Sequence, residues 1–226
     1  MLFEEYLSKM PALHQWASGW NQGGFDRGSL EKIRSLVNSL PRARVIETGS
    51  GNSTLTFLFT NAERVVSICP EKPLHNRIKE FAKTNGIGID RLESVEGWSE
   101  TILPPMAASP GNTFNFALID GGHGWPTVFI DFFYLNQMLE KGGILLIDDV
   151  NIYSIRELAK LLALQASHLK LMGSVQPNGK CLIFEKITDK QRLPDWSELP
   201  YVMARNEAIK GRGSNDELDE ALAQVK

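Results

Sequence analysis

Short apolar runs alternate along the chain with longer segments in which apolar residues recur every three or four positions. The runs predict strands at 45–48, 64–69, 92–95, 114–119 and 144–147. The longer segments predict helices at 30–40, directly after residue 51, and at 73–84, 127–139 and 154–164. Ser29 is the predicted N-cap of the first of these helices. Continuously apolar strands are typical of a parallel sheet that helices cover on both faces, so we predict one α/β domain.

The last third of the chain departs from this alternation. Strand-like segments at 169–175 and 180–186 flank the turn signal Gln176-Pro177-Asn178-Gly179, which predicts an antiparallel hairpin at the end of the sheet. Residues 187–213 look irregular, and a capping box at 214–217 begins a short amphipathic helix. This helix either packs on its own domain or forms an arm between two chains, which leaves a homodimer open.

Composition narrows the kind of partner. The 226 residues carry a net charge of -3 without a basic run, so we expect a small-molecule ligand and no nucleic acid. Cys69 and Cys181 each lie in an apolar strand-like run, as reduced structural thiols do, which favours a cytoplasmic location. No segment approaches the roughly 20 apolar residues of a membrane span, and the N-terminus lacks the pattern of a secretion signal, so no membrane partner is expected.

The segment Glu47-Thr48-Gly49-Ser50-Gly51 directly follows the first predicted strand. Ligands of open parallel sheets bind at the carboxyl ends of the strands, where this loop would lie. It lacks the Gly-Lys-Ser/Thr ending of a mononucleotide loop, and Thr54 stands where a dinucleotide fingerprint has its third glycine. The carboxylate of Glu47 would repel a pyrophosphate and attract an ammonium or sulfonium. The loop therefore predicts a cationic ligand.

Three carboxylates follow two other predicted strands. Asp120 ends the fourth strand and Asp148-Asp149 ends the fifth, and the tips of neighbouring parallel strands lie about 4.8 Å apart. Carboxylates this close would repel one another, whereas a hard divalent cation would neutralise them. Asp148 and Asp149 could instead cap the next helix. Adjacent strand residues point to opposite faces, so both aspartates can face one ion only if the strand bends at its end.

The glycine loop and four later segments together resemble class I S-adenosylmethionine-dependent methyltransferases over residues 28–186. Those segments are VVSICPEK, EGWSE, FALIDGGHGW and KGGILLIDDV, in the order that the family has them. The resemblance implies a Rossmann-like, doubly wound, mostly parallel sheet of seven strands. It also implies that the loop wraps the amino-acid end of S-adenosylmethionine, with Glu47 serving its amino group. The residues assigned to this contact are Glu47, Thr48, Gly49, Ser50, Gly51 and Ser53.

For the ribose and adenine of the cofactor, the resemblance leaves alternatives for some residues. The family carries an acid at the tip of its second strand for the ribose hydroxyls, and this chain has Cys69 there. Glu71 substitutes for that acid or lies exposed in its loop. Trp98 and Ser99 occupy the adenine loop, where Trp98 covers the purine or is core filler and Ser99 binds its edge. Asp120 is a further cofactor contact.

The acids resemble those of metal-dependent O-methyltransferases that act on small molecules. This resemblance implies Mg²⁺ on Asp120, Asp148 and Asp149, and a hydroxyl acceptor. The ion would lower the pKa of the hydroxyl, and the alkoxide would attack the methyl group. His123 is the predicted base, with Asp120 as the second catalytic residue. Relatives often have an acid at the position of Gly122, so His123 as an ordinary loop histidine stays open.

The predicted division of the chain has three parts. Residues 1–27 form an N-terminal lid, since 12–26 combine aromatic side chains with glycines. Residues 28–186 form the S-adenosylmethionine-binding domain, and 187–226 form a C-terminal extension with the short helix. The predicted function is methyl transfer to a small molecule. A metal-independent methyltransferase and a non-catalytic module with the same fold are the alternatives.

Overall fold

A computed structural model describes residues 1–16, 19–20, 24–164, 168–176, 179–189, 203–204 and 207. Its elements are, in chain order, α1 (Phe3–Ser8), β1 (Gln15–Trp16), β2 (Gly19–Trp20), α2 (Arg27–Asn38), β3 (Arg44–Thr48), α3 (Asn52–Phe57), β4 (Arg64–Cys69), α4 (Lys72–Thr84), β5 (Leu92–Glu96), α5 (Ser99–Ala108), β6 (Phe114–Ile119), α6 (Thr127–Met138), β7 (Leu139–Ile147), α7 (Tyr153–Leu164), β8 (Leu169–Ser174) and β9 (Leu182–Lys186).

The main sheet has seven strands in the order β5-β4-β3-β6-β7-β9-β8. Neighbouring strands from β5 to β7 run parallel, and β9 runs antiparallel to both β7 and β8. This confirms the predicted doubly wound, mostly parallel sheet with its closing antiparallel hairpin. The strand order reverses between β3 and β6, and a crevice for ligands forms at the carboxyl ends of strands at such a point.

Alternate residues of the central strands point to opposite faces of the sheet and pack into two separate hydrophobic cores. Val45 of β3 packs with Leu30 and Ile33 of α2 on one face of the sheet. Its neighbour Ile46 packs with Val128 of α6 on the other face. Burying one such side chain stabilises a protein by about 1.5 to 3 kcal/mol. Because packing on both faces of the sheet stabilises β3, the end of this strand has a fixed position.

Some predicted boundaries are wrong. Helix α2 begins at Arg27, and the Oδ1 of Asp26 accepts from the Ser29 backbone N–H at 2.8 Å, so Asp26 and not Ser29 is the N-cap. The first turn carries no apolar residue before position 30, and for this reason the apolar pattern missed it. Helix α5 was not predicted because it contains Pro104 and Pro105.

Both cysteines are buried and free, as predicted. Within the described ranges, no helix has the length and apolar character needed to cross a membrane. The predicted helix after residue 213 and the irregular segment from 190 to 202 lie outside the described residues.

Candidate functional site

A cavity of about 670 Å³ opens at the carboxyl ends of the central strands, where the strand order reverses. Many of the predicted site residues line it, namely Gly49, Ser50, Gly51, Ser53, Glu71, Trp98, Ser99, Asp120, His123 and Asp149. Glu47, Thr48 and Asp148 are not among the lining residues. One hollow therefore brings together the glycine loop, the second-strand tip, the adenine loop and two of the three aspartates.

Gly49 fixes the distance between the glycine loop and the loop after β6. Its φ is +88°, and a Cβ built on it would lie 2.2 Å from the carbonyl oxygen of Asp120. The backbone N–H of Asp120 also donates to the Thr48 carbonyl at 3.0 Å. The two loops are therefore in backbone contact, and only glycine fits between them.

The N-terminal segment covers this loop from the other side. A ring nitrogen of His14 lies 2.6 Å from the Ser50 carbonyl oxygen, and a Cβ on Gly51 would lie 2.9 Å from the same Nε2. The guanidinium of Arg77 donates to the Leu13 carbonyl at 2.8 Å and holds the segment in place. His14 belongs to the segment 12–26 that the sequence predicts as a lid, and it lines the cavity. Its contact with Ser50 was not predicted, because the two residues are 36 positions apart.

Glu47 is fully buried between β4 and the start of α3. Its carboxylate accepts hydrogen bonds from Ser53 Oγ and Ser67 Oγ, each at 2.7 Å, and from Thr54 Oγ1. Burial raises the pKa of Glu47 to about 7, although these hydroxyl donors lower it. Glu47 thus organises the hydroxyl groups of the loop, and its contact with a ligand's amino group stays a prediction.

The pKa of Glu47 makes stability depend on pH. A folded-state pKa of about 7 exceeds that of an unfolded glutamate, so the native state binds the proton more tightly and loses that stability as pH rises through 7. Relative to Glu47→Gln, we expect the wild-type free energy of unfolding to fall by about 2 to 3 kcal/mol from about pH 5 to about pH 8 in urea titrations. The exposed substitution Glu80→Gln should show no such change. A wild-type minus Glu47→Gln difference that is constant over this range would contradict the assignment.

The ribose position holds both candidate residues. Cys69 is buried at the end of β4, and its Sγ accepts from the Glu71 backbone N–H at 3.4 Å. Burial raises the pKa of the Cys69 thiol, so it stays protonated at neutral pH. Glu71 is exposed and lines the cavity, and its role as the substitute for the missing acid stays a prediction.

Trp98 and Ser99 lie at the adenine end. The Trp98 side chain is 62% exposed, so the alternative that it fills the core is wrong. Ser99 is buried and begins α5, and both residues line the cavity. An exposed indole beside a buried hydroxyl can cover the face of a planar ring and bind its edge.

Asp120, His123 and Asp149 place their side-chain ligand atoms within 4.8 Å of one another. Asp149 has a φ of +55°, which is the bend that the sequence required at the end of β7. Asp148 lies outside this group, and its buried Oδ1 has no hydrogen-bond partner among the described residues. The structure thus gathers two of the predicted metal ligands and adds His123, while a ligand role for Asp148 stays a prediction.

Asp149 has two side-chain partners, a lysine and an imidazole. Its Oδ1 lies 2.7 Å from Lys180 Nζ, and its Oδ2 lies 3.2 Å from His123 Nε2. The Ser154 hydroxyl donates to the His123 carbonyl and fixes the loop that carries the imidazole. Lys180 was missed because it stands in the turn of the closing hairpin, 31 positions after Asp149.

Burial and neighbouring negative charges raise the pKa of two carboxylates, those of Asp120 and Asp148. Burial is the main cause for Asp120, whose pKa lies well above its usual range, and the charges of Asp148 and Asp149 raise it further. Burial also raises the pKa of Asp148 to about 6. Burial lowers the pKa of Lys180, but its hydrogen bond to Asp149 and the nearby carboxylates raise it by more. A positive charge at this point stabilises all three carboxylates.

We compared the chain with protein-family models, curated proteins and solved structures. Residues 46–150 match the family model described as a methyltransferase domain. No curated protein matches the sequence. Among solved structures, the chain is similar to the O-methyltransferase TomG of Streptomyces achromogenes, solved with SAM, at 18% identity and a TM-score of 0.59, covering 81% of this chain and 90% of that one.

Two further solved structures have the same fold. An O-methyltransferase of Bacillus cereus, solved with SAH, shares 18% identity at a TM-score of 0.59 and covers 82% of this chain and 90% of that one. An rRNA methylase of Streptococcus thermophilus shares 16% identity at a TM-score of 0.52 and covers 71% and 95%. At 16% to 18% identity, the likeness to these proteins concerns the fold. Residues 46–150 thus match a methyltransferase-domain model, and the chain has the fold of these methyltransferases, as the resemblance predicted.

Proposed function

We propose that this protein transfers a methyl group from S-adenosylmethionine to a hydroxyl oxygen of a small molecule. The observation that carries the proposal is the single cavity between the glycine loop and the group formed by Asp120, His123 and Asp149. Its volume of about 670 Å³ is typical of a site for a small ligand. The methyltransferase family match supports the reaction class.

The cavity suggests how the cofactor lies. Its amino-acid end would contact the loop from Gly49 to Ser53, its ribose would face Glu71, and its adenine would lie between Trp98 and Ser99. The sulfonium would then come near Asp120, whose negative charge attracts it. The methyl group would point toward His123, at the open side of the same cavity.

The side chains beside the proposed methyl position can move a proton. His123 Nδ1 would accept the proton of the acceptor hydroxyl, and Asp149 would stabilise the resulting imidazolium through its 3.2 Å contact with the other ring nitrogen, Nε2. The oxygen then attacks the methyl carbon as the carbon–sulfur bond breaks, which yields a methyl ether, S-adenosylhomocysteine and one proton. The protein's main contribution is to position these groups.

The donor set at this place fits a hard divalent ion. Two carboxylates and one imidazole lie within 4.8 Å of one another, and oxygen donors predominate. Asp120 and Asp149 would hold Mg²⁺, which would supply the charge that lowers the pKa of the acceptor hydroxyl, and His123 would remain the base. The ion pair of Asp149 with Lys180 and its contact with His123 support a metal-independent reaction as the second candidate.

Other features of the proposal rest on the sequence. The acceptor is a small molecule. Neither nucleic acid nor a membrane is a proposed partner, since the chain has no basic run. The buried free thiols support a reducing compartment such as the cytoplasm. A homodimer formed through 187–226 stays a proposal.

Calorimetry with S-adenosylhomocysteine tests the cofactor assignment first. We expect one site per chain, followed by turnover of labelled S-adenosylmethionine with a panel of hydroxylated acceptors. Activity that EDTA removes and Mg²⁺ restores would favour the metal-assisted reaction, and activity that survives EDTA would favour the metal-independent one. Binding without turnover of any acceptor would indicate the non-catalytic module, and absence of binding would overturn the proposal.

Glu71 provides a sharper test of the cofactor's orientation. Glu71→Gln should weaken S-adenosylhomocysteine binding about tenfold, because a hydrogen bond to a charged acceptor is worth about 1.5 to 3 kcal/mol. Glu80→Gln removes the same charge from an exposed position on α4 and should leave the affinity unchanged. Equal affinities for the two variants in calorimetry would remove Glu71 from the ribose site.

A further inference from the structure

Lys180 places an ammonium on the acid cluster, defined here as Asp120, Asp148 and Asp149. Its Nζ lies 2.7 Å from Asp149 Oδ1, while His123 takes the other oxygen of the same carboxylate. The Asp149 side chain is 14% exposed and that of Lys180 is 24% exposed. The pair is therefore largely shielded from water, where opposite charges interact more strongly than at an open surface.

The backbone holds Lys180 in this place. The Val150 N–H, directly after Asp149, donates to the Lys180 carbonyl at 3.0 Å, and the Val175 N–H donates to the Cys181 carbonyl at 2.8 Å. Strand β9 begins at Leu182 and pairs with Ile147 at the end of β7. The pairing of β7 with β9 thus fixes the backbone of Lys180 beside Asp149, and the position of its ammonium follows from the fold of the sheet.

We infer that Lys180 is a built-in cation of the acid cluster and competes with divalent ions for Asp149. A divalent ion that approaches Asp149 must displace the ammonium from Oδ1 or share the carboxylate with it, and either event weakens its binding. Lys180 therefore sets how strongly the site binds a metal. This inference rests on the proposed function for the identity of the site, but it concerns the affinity for a metal and not the reaction.

Mn²⁺ calorimetry on the full chain measures that affinity directly. Lys180→Met keeps most of the side-chain length and removes the charge, and it should bind Mn²⁺ about tenfold more tightly than the wild type does. Lys180→Arg keeps the charge and should bind Mn²⁺ as weakly as the wild type. Lys170→Met is the matched control, since Lys170 is exposed on β8 and pairs in register with Glu185, toward the other end of the hairpin.

An unchanged or weaker Mn²⁺ affinity of Lys180→Met would overturn the inference. S-adenosylhomocysteine affinity is measured on the same samples, so that loss of the proposed function is distinguished from failure of the inference. Should Lys180→Met not fold, the wild type itself provides the test by NMR. Addition of Mg²⁺ should then shift the ¹³Cε resonance of Lys180, assigned by its absence in Lys180→Arg, and a resonance that stays unshifted at Mg²⁺ saturation would contradict displacement.

Discussion

Gly49→Ala should abolish measurable binding of S-adenosylhomocysteine and lower the free energy of unfolding by about 3 kcal/mol or more. The alanine Cβ would lie 2.2 Å from the carbonyl oxygen of Asp120 and 2.8 Å from its carbonyl carbon. Both are backbone atoms, so no side-chain rotation relieves the contact. The loops after β3 and β6 would have to separate, and both line the cavity proposed to hold the cofactor.

Gly86→Ala is the matched control for this prediction. Gly86 has a φ of +66°, and a Cβ built on it meets nothing within 4 Å. This variant therefore carries the conformational cost alone, which is about 1 to 2 kcal/mol, and should bind S-adenosylhomocysteine as the wild type does. Urea unfolding measures the stability of both variants, and calorimetry measures their affinity for S-adenosylhomocysteine. Together they separate the cost of a positive φ from the cost of the contact with Asp120. Equal losses in the two variants would show that the Gly49–Asp120 contact has no role.

Asp120→Asn should lower methyl transfer at least about a hundredfold, because it removes the carboxylate that faces both the proposed sulfonium and the proposed ion. The same change should make the protein more stable above neutral pH. Burial and two neighbouring aspartates raise the pKa of Asp120 above its unfolded value, so its charged form destabilises the native state as pH rises. Steady-state turnover and urea unfolding at about pH 8 measure the two effects.

Two other substitutions separate the role of Asp120 from a general effect of charge. Asp90→Asn removes one charge from an exposed turn before β5 and should alter neither turnover nor stability. Asp148→Asn changes a buried neighbour outside the group of Asp120, His123 and Asp149, and its turnover should fall less than that of Asp120→Asn. If Asp120→Asn were less stable than the wild type and equally active, the electrostatic role of Asp120 would be refuted.

The sequence predicted the features that depend on neighbouring positions. The strands 64–69 and 114–119 were placed to the residue because each is a mainly apolar run of strand length. The meeting of Asp120 with Asp149 followed from the rule that parallel strands end at one edge of the sheet. Local pattern and sheet geometry were enough for the loop that lines the cavity and for most of its acids.

Features that depend on distant contacts could not be predicted. The ion pair of Lys180 with Asp149 requires the register of β9 on β7, which no local pattern contains. His14 reaches Ser50 only because the N-terminal segment folds back over the loop. The direction of Asp148 depends on the left-handed turn at Asp149, a conformation that the residue type permits but does not require.

Strand β9 enters the sheet between β7 and β8, and it is the last strand of the sheet in chain order. During synthesis, the two aspartates at the end of β7 therefore emerge well before the ammonium that neutralises them. Until the final hairpin docks, the negative charges of the two aspartates repel each other at the end of β7. Once it docks, the ammonium of Lys180 offsets that repulsion. We conclude that insertion of β9 is the step that commits the nascent chain to a finished pocket, so a truncated chain that ends before it should stay sensitive to proteolysis.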